Sequence, residues 1–141
     1  MSLTKISITH RIGAAFFALL MWTMAYLQLN DPDPILWVMV YCFLGLNATL
    51  GVLLGVQRTV VIVALAITVL WSLWLSPSVY ELFAFYPASD IMTGMSPDRP
   101  YVEEARESLG LLIGALAMGH LVFASGASRA VGTGSDQGFS V

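Results

Sequence analysis

Four stretches of the chain lack Asp, Glu, Lys and Arg: Ile12 to Leu29, Ile35 to Val56, Thr59 to Leu75, and Ser108 to Ala124. Each approaches or exceeds the roughly 20 apolar residues that a helix needs to cross a bilayer. The fourth carries His120 as its only titratable group. Charged residues collect between these stretches. The pattern predicts an all-α integral membrane four-helix bundle, with helices over about 11–29, 35–56, 59–76 and 101–124. The turn Gln57-Arg58-Thr59 is short enough to make the second and third helices antiparallel neighbours.

Composition agrees with a lipid-solvated chain. Of 141 residues, 57% are hydrophobic and 11% charged, against roughly 25% charged in soluble domains. The length predicts one domain, residues 1–124, followed by a Gly- and Ser-rich tail, 125–141, expected to be disordered and cytoplasmic. The single cysteine, Cys42, excludes a disulfide framework and a CxxC metal site. The net charge of −3 gives no pull toward nucleic acid. The basic start and Thr23-Met24-Ala25 resemble a cleaved signal, but the apolar run continues too far for one.

Orientation follows from the cations. Lys5, Arg11, Arg58 and Arg129 fall at one end of the helices, which predicts an N-in, C-in arrangement with acidic loops outside. Asp31, Asp33, Glu81, Asp90, Asp98, Glu103, Glu104 and Glu107 fall at the other end. A bacterial inner membrane is the expected location. All four Trp and all five Tyr lie in the outer half or the outer loops. The connection 77–100 is the external loop. Its first part, with Tyr80, Phe83, Phe85 and Tyr86, predicts a short interfacial helix resting in the headgroups. The remainder, 88–100, reads as a cap on the bundle or a solvated loop.

Small residues suggest helix contacts: Gly51 and Gly55, Gly110 and Gly114, Ala14 and Ala18. Asn47, deep in the second helix, is expected to bond across to another helix.

Two polar stretches carry the candidate chemistry. Gln28-Leu-Asn-Asp-Pro-Asp-Pro34 joins the first two helices. Asp33 and Pro34 suit a helix start, and Asp31 with Pro32 suits a helix end; Gln28 and Asn30 are not needed for that. Tyr101-Val-Glu-Glu-Ala-Arg-Glu107 opens the last helix, where its dipole favours Glu103 and Glu104. Glu103 and Glu107 form a like-charged i, i+4 pair, with Arg106 beside them. Both stretches are outer mouths of helices, and Trp37 and Tyr41 lie just below. Three readings stay open. The carboxylates form a structural network. Or Asp31, Glu103, Glu104 and Glu107 hold a hard divalent cation through oxygen. Or Asp31, Asp33, Trp37, Tyr41 and Arg106 bind a small polar or cationic ligand. No nucleophile–base pair of recognisable spacing is present, so catalytic residues are not assigned and an enzyme is not favoured.

Two further readings concern cofactors. His10 and His120, on separate helices, are the residue types of a b-type haem, but His10 sits at its helix end, so interfacial and hydrogen-bonded roles are preferred. Met92 and Met95 offer soft sulfur for Cu(I), a weak signal for a loop pair. No cofactor is expected with assurance.

At the residues Gln28-Leu-Asn-Asp-Pro-Asp33, Trp37, Tyr41, Glu103-Glu-Ala-Arg-Glu107 and Gly110, the chain resembles the transmembrane protein 220 family. The resemblance covers roughly residues 12–55 and 101–119 and leaves aside the connection 76–100. It implies a small multi-helix membrane protein with no activity assigned. It also implies that Asp31, Trp37, Tyr41, Glu103, Arg106 and Glu107 form one linked site. The function expected is a non-enzymatic accessory or assembly component, its small-residue faces docking on a membrane protein partner or a second copy. The alternative is a binding protein or enzyme with an outward acidic and aromatic site.

Overall fold

A computed structural model describes residues 3–30, 34–92 and 99–135. Four helices organise it: α1 (Ile8–Leu27), α2 (Pro34–Leu53), α3 (Arg58–Phe85) and α4 (Pro100–Ser135). All four are long and apolar enough to cross a membrane. At about 1.5 Å per residue, the 20 residues of α1 and of α2 match the roughly 30 Å hydrocarbon layer. The 28 residues of α3 overrun it. We call the end holding Gln28, Pro34, Phe85 and Pro100 the mouth end, and the opposite one the tail end.

Half of α4's membrane window is buried, against 22% for α1 and α3, so α4 is the central helix. It packs extensively on α3 and also touches α1 and α2, while α1 and α2 form their own close pair. α2 and α3 do not pack closely on each other. The core is built from small and flexible residues: Ala14, Ala18 and Met21 on α1, Leu44 and Ala48 on α2, and Leu111, Ala115, Met118 and Leu121 on α4. In lipid, small side chains let backbones approach, and packing rather than water exclusion holds the helices.

The glycines show which faces meet. A methyl on Gly110 would strike the Tyr41 hydroxyl, and one on Gly114 would sit 2.6 Å from Leu44 Cδ1. The Gly110–Gly114 stripe is therefore the α2-facing side of α4. Gly51 faces Leu121 in the same seam. Gly55 is not a helix-packing residue. It follows α2 with φ of +119°, and a Cβ there would meet the Thr4 carbonyl oxygen at 2.8 Å. Thr4 and Val56 exchange backbone hydrogen bonds of 2.9 and 2.8 Å, strapping the N-terminal segment across the tail end. Gly55→Ala is expected to lower stability by about 1–3 kcal/mol, because the strap fixes a backbone that alanine disfavours. Denaturant unfolding in bicelles measures this.

Three expectations are revised. The third helix does not end at 76 with a separate interfacial helix beyond it; α3 continues through Pro77 to Phe85. Proline removes the N–H that would reach the Leu73 carbonyl. The Ser76 hydroxyl donates to that carbonyl at 2.7 Å, so the freed acceptor is satisfied and the helix runs on. Residues 125–135, expected in a disordered tail, are helical instead, since α4 runs through Ser135. Ser125 and Ser128 donate to the Val122 and Ala124 carbonyls, and Gly126 lies under the Arg58 guanidinium. Residues 136–141 lie outside the described residues. Asn47 bonds the Phe43 carbonyl of its own helix at 2.8 Å rather than a neighbour.

Hydroxyls supply several of the side-chain bonds between helices. Trp22 Nε1 donates to Thr49 Oγ1 at 3.1 Å, tying α1 to α2. Ser72 and Ser108 each donate to the other's carbonyl at 2.9 Å, tying α3 to α4. Toward the mouth end, Leu82, Val102 and Ala105 form a second small core. Above it Tyr86 stacks on Tyr101, with ring centroids 4.0 Å apart, and Arg99 pairs with Asp90 at 3.8 Å.

Candidate functional site at the mouth end

Helix register places the mouth residues. Met21 of α1 lies against Gly45 and Gly114. α1 runs opposite to α2 and α4. Two turns toward the mouth from this level are Gln28 on α1, Trp37 on α2 and Glu107 on α4. Gln28 continues the buried stripe of Ala14, Ala18, Met21 and Ala25. Trp37 continues the stripe of Tyr41, Leu44, Ala48 and Gly51. Glu107 and Glu103 continue the stripe of Gly110 and Gly114. Three helices thus bring their inward faces to one level.

The floor of this level is aromatic. Trp37 is 3% exposed and Tyr41 1%. The Trp37 ring lies 5.2 Å from that of Trp71 and 6.3 Å from that of Tyr41. Tyr41 reaches α4 because residue 110 has no side chain. Trp71 of α3 was not singled out with the site from sequence. Its place depends on which face α3 turns toward α2, which the short connection between them does not fix.

Above the floor the polar groups are acceptors. Among the described residues, Gln28 Oε1 is buried and has no hydrogen-bond partner. Such an orphan costs about 1–3 kcal/mol, so it calls for an explanation. Glu103 and Glu107 are half-buried, and neither they nor Tyr41 lack partners. Glu104 is exposed on the flank toward α3, where it accepts a hydrogen bond from the buried Ser78 hydroxyl. Ser78 was not anticipated as a partner. Arg106 is exposed on the opposite flank of α4. Asp31 and Asp33 lie outside the described residues. Helix register therefore sets Trp37 and Tyr41 of α2 on the side facing the Glu103–Glu107 stripe of α4, with Glu104 on one flank of that stripe and Arg106 on the other. Among the described residues no group of three or more His, Cys, Asp or Glu is arranged to hold a metal ion.

The histidines form a contact of their own near the tail end. His120 Nε2 lies 3.0 Å from the His10 carbonyl oxygen. A carbonyl only accepts, so this nitrogen donates. The two rings meet edge to face at 5.5 Å, and Gly13 makes room for His120 against α1. Met92 is exposed, and Met95 lies outside the described residues.

Three apolar helices packed around a central fourth, all four long and apolar enough to cross a bilayer, define a multi-pass α-helical membrane protein. Residues 16–123 match the model of transmembrane family 220, helix, and the chain belongs to that family. The match takes in the connection 76–100 as well as the two motif regions. No curated protein and no solved structure matches the chain.

Proposed function

We propose that this is a non-enzymatic binding protein whose mouth holds a small, polar, cationic ligand at the level of Gln28, Trp37 and Glu107. The observation that carries this reading is the buried Gln28 amide oxygen, without a hydrogen-bond partner among the described residues, at the level of Glu107 and a turn from Glu103, beside an aromatic floor. An acceptor without a donor among the described residues, acidic neighbours and the negative faces of aromatic rings all favour a ligand rich in N–H groups. In this reading the mouth faces outward from a bacterial inner membrane, and both termini lie inside, an orientation that the cation bias favours. The accessory reading loses its main support, because the small-residue stripe of α4 is occupied by α2 of the same chain.

The test is elemental analysis with native mass spectrometry on gently solubilised protein, wild type beside Glu107→Gln and Gln28→Leu. Bound ligand should be seen at one per chain in wild type. Losing a charge-assisted acceptor should weaken retention by about tenfold to a hundredfold. Unfolding midpoints should stay close to wild type. A stoichiometric metal would transfer the site to a hard cation. An empty wild type, or a Glu107→Gln variant that loses stability instead of ligand, would return the carboxylates to a structural role and revive the accessory reading.

A further inference from the structure

α2 and α3 stand side by side without close packing, and an apolar groove of about 350 Å³ runs between them. Leu36, Met39 and Phe43 form one wall and Ala64, Ile67 and Trp71 the other. Its residues belong to the membrane windows of both helices, so hydrocarbon, not water, is the solvent that meets it. Its mouth-side limit is Trp71. Two helical turns above Trp71 on the same face of α3, about 10 Å along the axis, is Ser78. Ser78 donates to Glu104, whose exposed carboxylate keeps further lone pairs to offer. A groove facing hydrocarbon thus ends two helical turns below an anionic acceptor near the mouth end of α3 and α4.

We propose that this seam is a binding site for one membrane lipid whose headgroup carries a primary ammonium. An acyl chain lies in the α2–α3 groove, the lipid backbone passes Trp71, and the ammonium donates to Glu104. Charge and donor count select the headgroup. The carboxylate disfavours an anionic lipid, and a trimethylated ammonium keeps the charge but has no N–H to donate. The Ser78 hydroxyl holds Glu104 in place and makes it a positioned acceptor rather than a free surface charge. The site is separate from the mouth ligand, which sits on the Glu107 face of α4, so either can fail without the other.

The experiment uses full-length protein in nanodiscs containing equal amounts of phosphatidylethanolamine, phosphatidylcholine and phosphatidylglycerol with identical acyl chains. Lipid retained after transfer to detergent is read by native mass spectrometry. The ethanolamine lipid should be enriched about tenfold over the choline lipid, the scale of one charge-assisted hydrogen bond. Glu104→Gln should bring the ratio near one while some lipid is still retained. Ile67→Trp, at an exposed groove position, should lower retention of all three lipids with the helical circular-dichroism spectrum unchanged. Equal retention of the three lipids in wild type, or none, overturns the proposal. So does enrichment that survives Glu104→Gln, retention that survives Ile67→Trp, or selectivity lost through Glu107→Gln instead.

Discussion

Gly110→Ala should destabilise the protein by about 1–3 kcal/mol, the cost of forcing extra volume into a closed contact, and Tyr41→Phe in the same chain should restore part of that loss. The added methyl would strike the Tyr41 hydroxyl and come within 3.0 Å of Cζ behind it. Tyr41 is 1% exposed, and its ring is held beside that of Trp37. It cannot swing aside without moving the aromatic floor. Either α2 and α4 separate along their seam or Tyr41 leaves its rotamer. Both routes also shift Glu107, which stands one turn from residue 110 on the same face. Tyr41→Phe removes the hydroxyl and leaves the Cζ contact, so rescue is partial. Steric-trapping or detergent-titration unfolding of the four proteins closes the double-mutant cycle. A positive coupling of roughly 0.5–3 kcal/mol is expected for residues in direct contact. Additive losses would show that the seam gives way elsewhere.

The spans were legible in the sequence because a charge-free run of this length has few folded alternatives outside lipid. Their ends were less so. Ser76-Pro77 reads as a helix stop when only proline's missing N–H is considered; the serine hydroxyl that covers the Leu73 carbonyl is a side-chain choice made after folding. The Gly- and Ser-rich stretch after Ala124 reads as disorder by composition. Those residues stay helical where small side chains fit under Arg58 and hydroxyls bond back to the helix. Asn47 had two ways to satisfy its amide, within its helix or across to another. A polar residue in an apolar run does not say which.

The mouth was legible to the extent that polar residues at helix ends exceeded what capping needs. Gln28 stood out in that way, and Glu103 and Glu107 share a face by spacing alone. Trp71 and Ser78 were hidden for a common reason. Both act across helix boundaries, and four apolar segments do not specify which faces of neighbouring helices meet. The interhelical serine pair, Ser72 with Ser108, was hidden likewise. Its two hydroxyls are separated by the whole α3–α4 connection and meet only once the register of that hairpin is set.

Trp37→Ala should cost about 2–4 kcal/mol, toward the lower part of the range for truncating a buried aromatic. The discount has a physical origin. In water, much of such a loss is the transfer of apolar area. Here the unfolded reference state keeps its helices in lipid, whose chains solvate the ring nearly as well as the core does. What remains is the lost dispersion contact with Trp71 and Tyr41, and the void left where a 3%-exposed indole stood. The location makes the residue matter beyond that figure. Trp37 bridges α2 to α3 at the end of a seam where these two helices otherwise stand apart. It also floors the mouth under Gln28 and Glu107. Its removal should therefore weaken retention both of the mouth ligand and of the seam lipid, whereas Glu107→Gln and Glu104→Gln each weaken one. Trp37→Phe, which keeps an aromatic plane of smaller area, should recover most of the stability. Unfolding in bicelles and retained-ligand mass spectrometry on the four variants separate these effects. A Trp37→Ala protein of full stability would mean that α2 and α3 are held in place through α4 alone. The aromatic contact would then be a consequence of the bundle rather than one of its supports.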